Sequence, residues 1–419
     1  MAKVDPTAAP IIQGIQTVGV GRDGSRSMSR ELAAAIRDDL LTGRVHPVSE
    51  GAFWGALMMK SVSDAEQLLA EALPAGALGD PCAMATHLCA DTDPETRARC
   101  ALLLDGKELD REQALELGRF LFADTPGERA RGLAASILRV RYETDDEYEG
   151  LLTAMRETVV PAFREPVPEG APIAQVAEPF DGTLRSYLLT PLLARHLKSR
   201  GYRPLHLVGR SSGPKFGMNH RDVHRTLGAP FISSNSEVCG ETPDFGWAID
   251  QAMLSPAMDA WVDRRHQSKK RPFLATLEKF FDPARASLLV TSAFHPPYTE
   301  KMMCVAERAG FPAAIVMRRG IEGSLSPNTA KPVEVLVSVR RENGHYERQA
   351  FEWDPAELVD GGPIREVNVA EPKAEDNARL IRQHVETGSS GDPVFDRRVA
   401  LATALLDRCL AVIGGQAAS

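Results

Sequence analysis

Two stretches of this chain carry the side chains that an anion requires. Gly209-Arg210-Ser211-Ser212-Gly213-Pro214-Lys215 offers two cations, two hydroxyls and two glycines within seven residues. Charge-assisted hydrogen bonds to phosphate or carboxylate oxygens use such groups. The same spacing also suits a solvated loop between a strand and a helix. Glu178-Pro179-Phe180-Asp181-Gly182-Thr183-Leu184-Arg185-Ser186 is the second stretch. Asp181, Gly182 and Thr183 suit a turn. That turn either opens a modified anion site, with Arg185 as its charge, or simply leads into a helix. A third stretch, Arg264-Arg265-His266-Gln267-Ser268-Lys269-Lys270-Arg271, is the densest basic run. It reads as a phosphate-contacting patch, as part of an enzyme site, or as a solvated helix end. His295, before Pro296-Pro297, lies at a strand end where a site would open. His206 sits inside an apolar run and reads as a core residue. No Ser-His-Asp set has a spacing signal, and no HExxH is present.

These stretches need a scaffold, and the sequence describes one. Ser29-Arg30-Glu31 opens a helical pattern with Ser29 as its N-cap and Leu32, Ile36 and Leu40 on one face. A break at Gly43 and His46-Pro47 follows. A second helix then buries Phe53, Leu57 and Met58, and Ser63-Asp64-Ala65-Glu66 caps a third. The same order returns at Asp110-Arg111-Glu112, with a break at Asp124-Thr125-Pro126 and a cap at Thr144-Asp145-Asp146-Glu147. Glu31 to Glu112 sets an offset of 81 residues. At that offset Leu40 meets Leu121, Gly51 meets Gly132, Lys60 meets Arg141 and Glu66 meets Glu147. Breaks and caps in register without a gap indicate a duplicated helical unit.

Past residue 160 the texture changes. Pro161, Pro166, Pro168 and Pro172 with Gly170 form a linker. Apolar runs at 205–208, 288–291, 313–317 and 333–337 then alternate with helical stretches at 190–200, 220–227 and 298–310. Such alternation predicts an α/β region with a mostly parallel sheet. Residues 393–413 form one long amphipathic helix. The expected division is 1–95 for the first helical unit, 96–165 for the second, and 166–419 for the α/β region. Part of 245–285 is assigned a return to the helical domain.

The order of motifs resembles the family 3 glycosyltransferases, which are anthranilate phosphoribosyltransferase and the pyrimidine nucleoside phosphorylases. It resembles most the divergent anthranilate phosphoribosyltransferase-like paralogues. The helical unit carries the resemblance first. Thr190-Pro191-Leu192-Leu193-Ala194, Gly209-Arg210, Asp222 to Gly228, Arg264-Arg265 with Arg271 and Asp282-Pro283, His295-Pro296 and Gly320-Ile321-Glu322-Gly323 then follow in the family's order. The resemblance implies a small helical domain used for homodimerisation and a larger α/β domain. It also implies displacement of pyrophosphate or phosphate at the anomeric carbon of a ribose. Asp181, Gly182, Thr183, Arg185, Thr190, Gly209, Arg210, Ser211, Ser212 and Lys215 then hold phosphate and ribose, as in phosphoribosyl pyrophosphate. Arg271 and His295 face the acceptor.

Two departures from the family matter. One glycine, Gly182, stands where the family's phosphate loop has three. The family places adjacent Asp and Glu after Gly-x-Asp-Gly to hold Mg²⁺, but Ser324-Leu325-Ser326 follows Gly323 here. Glu322 alone remains as a weak magnesium ligand, or as part of a structural turn. The divergent branch suggests an alternative: a non-catalytic relative that binds nucleic acid or a nucleotide through Arg185, Arg210 and the run at 264–271. A third reading is an assembly protein whose extra helical unit enlarges a dimer surface.

Composition bounds these readings. The 419 residues carry 49 Lys and Arg against 57 Asp and Glu, a net charge of −8, which opposes a chain built wholly to coat nucleic acid. No apolar run is long enough to span a bilayer, and residues 1–13 lack a secretory pattern. Cys82, Cys89, Cys100, Cys239, Cys304 and Cys409 show no CxxC spacing and read as reduced thiols. A cytoplasmic protein is the expectation.

Overall fold

A computed structural model describes residues 8–21, 24–294, 297–361 and 363–415. The chain forms two compact units. The first joins residues 1–158 to 260–277, and the second joins 159–259 to 278–419.

The first unit is all helical. Its helices are α1 (Pro10–Val18), α2 (Arg30–Leu41), α3 (Pro47–Met58), α4 (Pro81–Leu88), α5 (Pro94–Leu104), α6 (Arg111–Phe122), α7 (Glu128–Arg141) and α8 (Asp145–Glu157). The duplication is present in the backbone: α2 and α6 are related by the 81-residue offset at both ends. Three of the expected caps form, and the one at Ser63-Asp64-Ala65-Glu66 does not, since the segment there starts at Gln67 without a side-chain cap. Ser29 accepts from the Leu32 amide, while Asp110 with Gln113 and Thr144 with Glu147 form reciprocal capping boxes.

One buried carboxylate organises each copy. Glu66 accepts from the amides of Met28 (2.9 Å) and Ser63 (2.8 Å) and from Lys60 Nζ (2.6 Å). Glu147 accepts from the amides of Leu109 (3.0 Å) and Thr144 (2.8 Å) and from Arg141. Every partner obeys the same offset. The copies pack on each other through α3 and α7. A Cβ at Gly51 would lie 1.8 Å from the Arg129 carbonyl oxygen, and one at Gly132 would lie 2.1 Å from the Val48 carbonyl oxygen. Both sites therefore need glycine for backbone-to-backbone contact. The contact is two-fold in character, since each residue meets the counterpart of its own counterpart's partner.

The copies differ in their third helix. The first has only a 3₁₀ segment, Gln67–Ala72, against the 13 residues of α8. Pro74 explains this: it drives Leu73 into an extended conformation (φ −126°, ψ 159°) and ends the helix. The helix Trp261–Ser268 also belongs to this unit. Trp261 donates to the Leu121 carbonyl (3.2 Å) and packs against Phe122 and Phe273.

The second unit is a seven-stranded sheet in the order β3-β2-β1-β4-β5-β6-β7. Its strands are β1 (Ile173–Ala177), β2 (Arg203–Val208), β3 (Trp247–Asp250), β4 (Leu288–Ala293), β5 (Ala313–Arg318), β6 (Val333–Arg340) and β7 (Tyr346–Trp353). The first five are parallel; β6 and β7 are antiparallel. Thus the fourth expected strand exists but runs the other way. Strands β1 to β5 are buried almost throughout, as a sheet covered on both faces requires. Helices α9 (Thr190–Ser199) and α10 (His220–Leu227) follow β1 and β2. The helices Ala374–Thr387 and Pro393–Ile413 add Leu380, Ile381, Phe395, Leu405 and Leu406 to the core. Among the described residues no helix is long and apolar enough to cross a membrane.

Candidate functional site

The sheet order reverses at β1. The chain runs from β1 to β2 and β3 on one side, then returns to β4 and β5 on the other. Ligands in such sheets bind outside the carboxyl ends of the strands at this switch point. Three loops meet there: 178–183 after β1, 209–215 after β2, and 319–323 after β5.

Lys215 joins them. Its Nζ lies 2.9 Å from Glu322 Oε1, 3.2 Å from the Gly182 carbonyl oxygen and 3.9 Å from Asp181 Oδ2. Gly182 has φ +69°, and a Cβ there would meet the Met218 carbonyl oxygen at 2.4 Å. Gly323 has φ +85°, and its Cβ would fall 2.1 Å from the Gly182 carbonyl oxygen. Both positions therefore require glycine. Three amides at or beside the junction are committed internally. Gly182 N–H donates to Pro179 (3.1 Å), Thr183 N–H to Met218 (2.9 Å) and Gly217 N–H to Asp181 (3.0 Å). A phosphate at this junction would meet the Lys215 ammonium.

Beneath the junction lies Glu178. Burial pushes its carboxyl up to about 7, against the opposing pull of the Thr190 hydroxyl and the Leu325 amide (2.7 Å). Asn219 locks the surroundings: its Nδ2 donates to the carbonyls of Phe180 (3.0 Å) and Gly209 (2.9 Å), while its Oδ1 caps α10.

The remaining expected residues divide clearly. Asp181 and Thr183 are buried; Arg185 is exposed. Thr190 is the buried first residue of α9. Arg210 pairs with Asp259 (2.9 Å), and Ser211 donates to the Gly217 carbonyl (2.8 Å). Ser212 is buried with its hydroxyl unpartnered. Arg271 lies in the helical unit. His295 lies outside the described residues. Glu322, the expected magnesium ligand, is engaged by Lys215. Ser324, Leu325 and Ser326 are buried and bring no carboxylate to it. This donor set fits an ammonium between carboxylates and does not fit Mg²⁺.

The basic run is not a surface patch. Arg265 and Lys270 are buried, Arg264 pairs with Glu128 (2.7 Å), and none of its five Lys and Arg residues is exposed. Composition showed the charge of this run but not its burial. Glu178 opens the second stretch, but no motif there marks its burial. His206 is a core residue as expected, and it lies against His220 and His224, whose four-residue spacing on one helix is the signal in the sequence.

No family model matches this chain. An uncharacterized protein of Aquifex aeolicus is 22% identical over 230 residues, covering 55% of this chain and 68% of that protein. Among solved structures, the chain is similar to anthranilate phosphoribosyltransferase (TrpD) from Thermus thermophilus, with a TM-score of 0.57 and 22% identity over 76% of this chain and 89% of that one. It is also similar to anthranilate phosphoribosyltransferase from Saccharomyces cerevisiae in complex with PRPP and Mg, with a TM-score of 0.54 and 13% identity over 80% and 90%. The fold is therefore that of the anthranilate phosphoribosyltransferases.

Proposed function

We propose that the α/β unit binds a phosphorylated pentose such as phosphoribosyl pyrophosphate at the loop junction, as part of a phosphoribosyltransferase-like activity. The observation that carries this reading is Lys215. It places a largely buried cation at the switch point of a fold shared with a structure that holds PRPP and Mg. An ammonium there supplies positive charge to a pyrophosphate leaving the anomeric carbon. Glu322 competes for the same ammonium, and its side chain is 44% exposed, so an incoming phosphate can displace it towards solvent. The reading includes a homodimer, checked by the concentration dependence of sedimentation.

Thermal unfolding with phosphoribosyl pyrophosphate is the test. Ligand at about 100 times its Kd stabilises by about 2.7 kcal/mol. The expected rise in Tm is independent of Mg²⁺, is lost in Lys215→Met and is larger in Glu322→Gln. No shift at millimolar ligand, with or without Mg²⁺, overturns the proposal. So does a shift that Lys215→Met retains. A mixed oligonucleotide in the same assay is expected to leave Tm unchanged.

A further inference from the structure

His206 on β2 and His220 and His224 on α10 bring three imidazoles together. Their ring centroids lie 4.4, 5.3 and 5.4 Å apart, and their ligand nitrogens all lie within 4.8 Å of one another. All three are buried. The hydrogen bonds around them decide the tautomers. His206 Nε2 lies 2.8 Å from the Phe245 carbonyl oxygen, and His224 Nε2 lies 3.2 Å from that of Pro230. A carbonyl oxygen only accepts, so each Nε2 carries the hydrogen and each Nδ1 presents a lone pair. Both Nδ1 atoms are without a hydrogen-bond partner, and so are both nitrogens of His220.

Two Nδ1 lone pairs therefore belong to rings packed against a third ring that no hydrogen bond holds. Buried polar atoms are almost always partnered, and four orphaned nitrogens in one cluster call for a ligand. We infer that His206, His220 and His224 form a binding site for a zinc-class divalent transition cation. Imidazole nitrogen suits such ions. A backbone carbonyl holding the far N–H of a ligating histidine is the usual outer support of a metal site. Three nitrogens at about 2.0–2.1 Å from one ion require the cluster, whose ligand atoms lie within 4.8 Å of one another, to draw in around it. The fourth tetrahedral position is left to water.

This site differs from the Lys215 junction in chemistry and in residues. It is tied to that junction through Asn219, which precedes His220 and bonds both Phe180 and Gly209. A bound cation would fix α10 against β2 and hold those loops in place.

The test uses full-length protein without a histidine tag. After chelator treatment and dialysis, the chain is titrated with Zn²⁺ and, separately, with Co²⁺. One equivalent per chain, a rise in Tm and cobalt absorption bands of a four-coordinate nitrogen site are expected. His220→Gln is expected to weaken binding by more than the ~10–100-fold that loss of an outer-shell partner costs. Tm measured without metal checks that this variant folds. If it does not, wild-type protein with Co²⁺ decides the matter through its spectrum. Failure of both cations to bind overturns the inference. Binding that His220→Gln leaves intact, or a cobalt spectrum of an all-oxygen site, also overturns it.

Discussion

Glu66 and Glu147 in the helical unit are fully buried, and each meets a cation and two backbone amides. Glu178 in the α/β unit is also buried, but its one hydrogen bond comes from the Leu325 amide and its Oε2 has no partner. The consequences differ. Burial raises Glu66, but Lys60 and the amides outweigh it and leave the carboxyl below its ordinary range. For Glu178 burial prevails. Where the chain duplicates itself, buried charge is compensated and holds structure. Where the sheet reverses, buried polar groups remain uncompensated, as at functional sites.

The largest effect that can break this comparison is removal of a compensated carboxylate. Glu147→Ala leaves Arg141 without its partner and is expected to cost about 3–5 kcal/mol, read by urea unfolding. Glu66→Ala is expected to match it. A loss below about 1 kcal/mol would show that these carboxylates behave as surface charges.

The pH dependence separates the units next. Glu178 rises from an ordinary 4.5 to about 7, so the native state holds the extra proton between those values. Its contribution is complete below pH 4.5 and is lost as pH rises through 7. The helical unit holds the opposite case. Burial lowers Lys270 from 10.5 to about 7, and its Nζ donates to Ser136 Oγ (2.6 Å). The unfolded chain binds the extra proton there, so stability falls as pH drops from 10.5 towards 7. Each slope approaches at most about 1.4 kcal/mol per pH unit. Glu178→Gln is expected to flatten the first limb and Lys270→Met the second, measured by unfolding across pH 4–11. A variant that leaves its limb unchanged refutes that assignment.

A smaller loss is expected at the contact between copies. Gly132→Ala forces α7 away from the Val48 carbonyl, at about 1–3 kcal/mol, and Gly51→Ala should behave alike. An unchanged Tm in either variant would mean the helices separate without cost. The smallest stability effect, about 1 kcal/mol, is expected for Lys215→Met, which removes the ligand response together with the Nζ hydrogen bond to the Gly182 carbonyl.

Much of the fold was legible because it rests on local signals. The long helix at 393–413, the helix at 220–227 and the offset between α2 and α6 each follow from spacing and caps. The central strand β1 was not legible. It has five residues with Gln175 in the middle, and the Nε2 of that side chain donates to the Phe281 carbonyl (2.7 Å), 106 positions away. β3, with four residues, was equally silent. At the site, Gly182 and Lys215 were readable as types. The pairing of Lys215 with Glu322 was not, because it joins the ends of strands far apart in sequence. Burial of Arg265 and Lys270 likewise depends on tertiary packing that a charge run does not encode.

The glycine contact between α3 and α7 has a consequence for mass action. A two-fold contact between separate chains strengthens with protein concentration and disappears on dilution. Here both surfaces belong to one polypeptide, so their encounter is unimolecular and governed by an effective concentration that dilution does not alter. The two surfaces also need not remain identical. Lys60 against Arg141, and a 3₁₀ segment against α8, show that each copy has since changed independently.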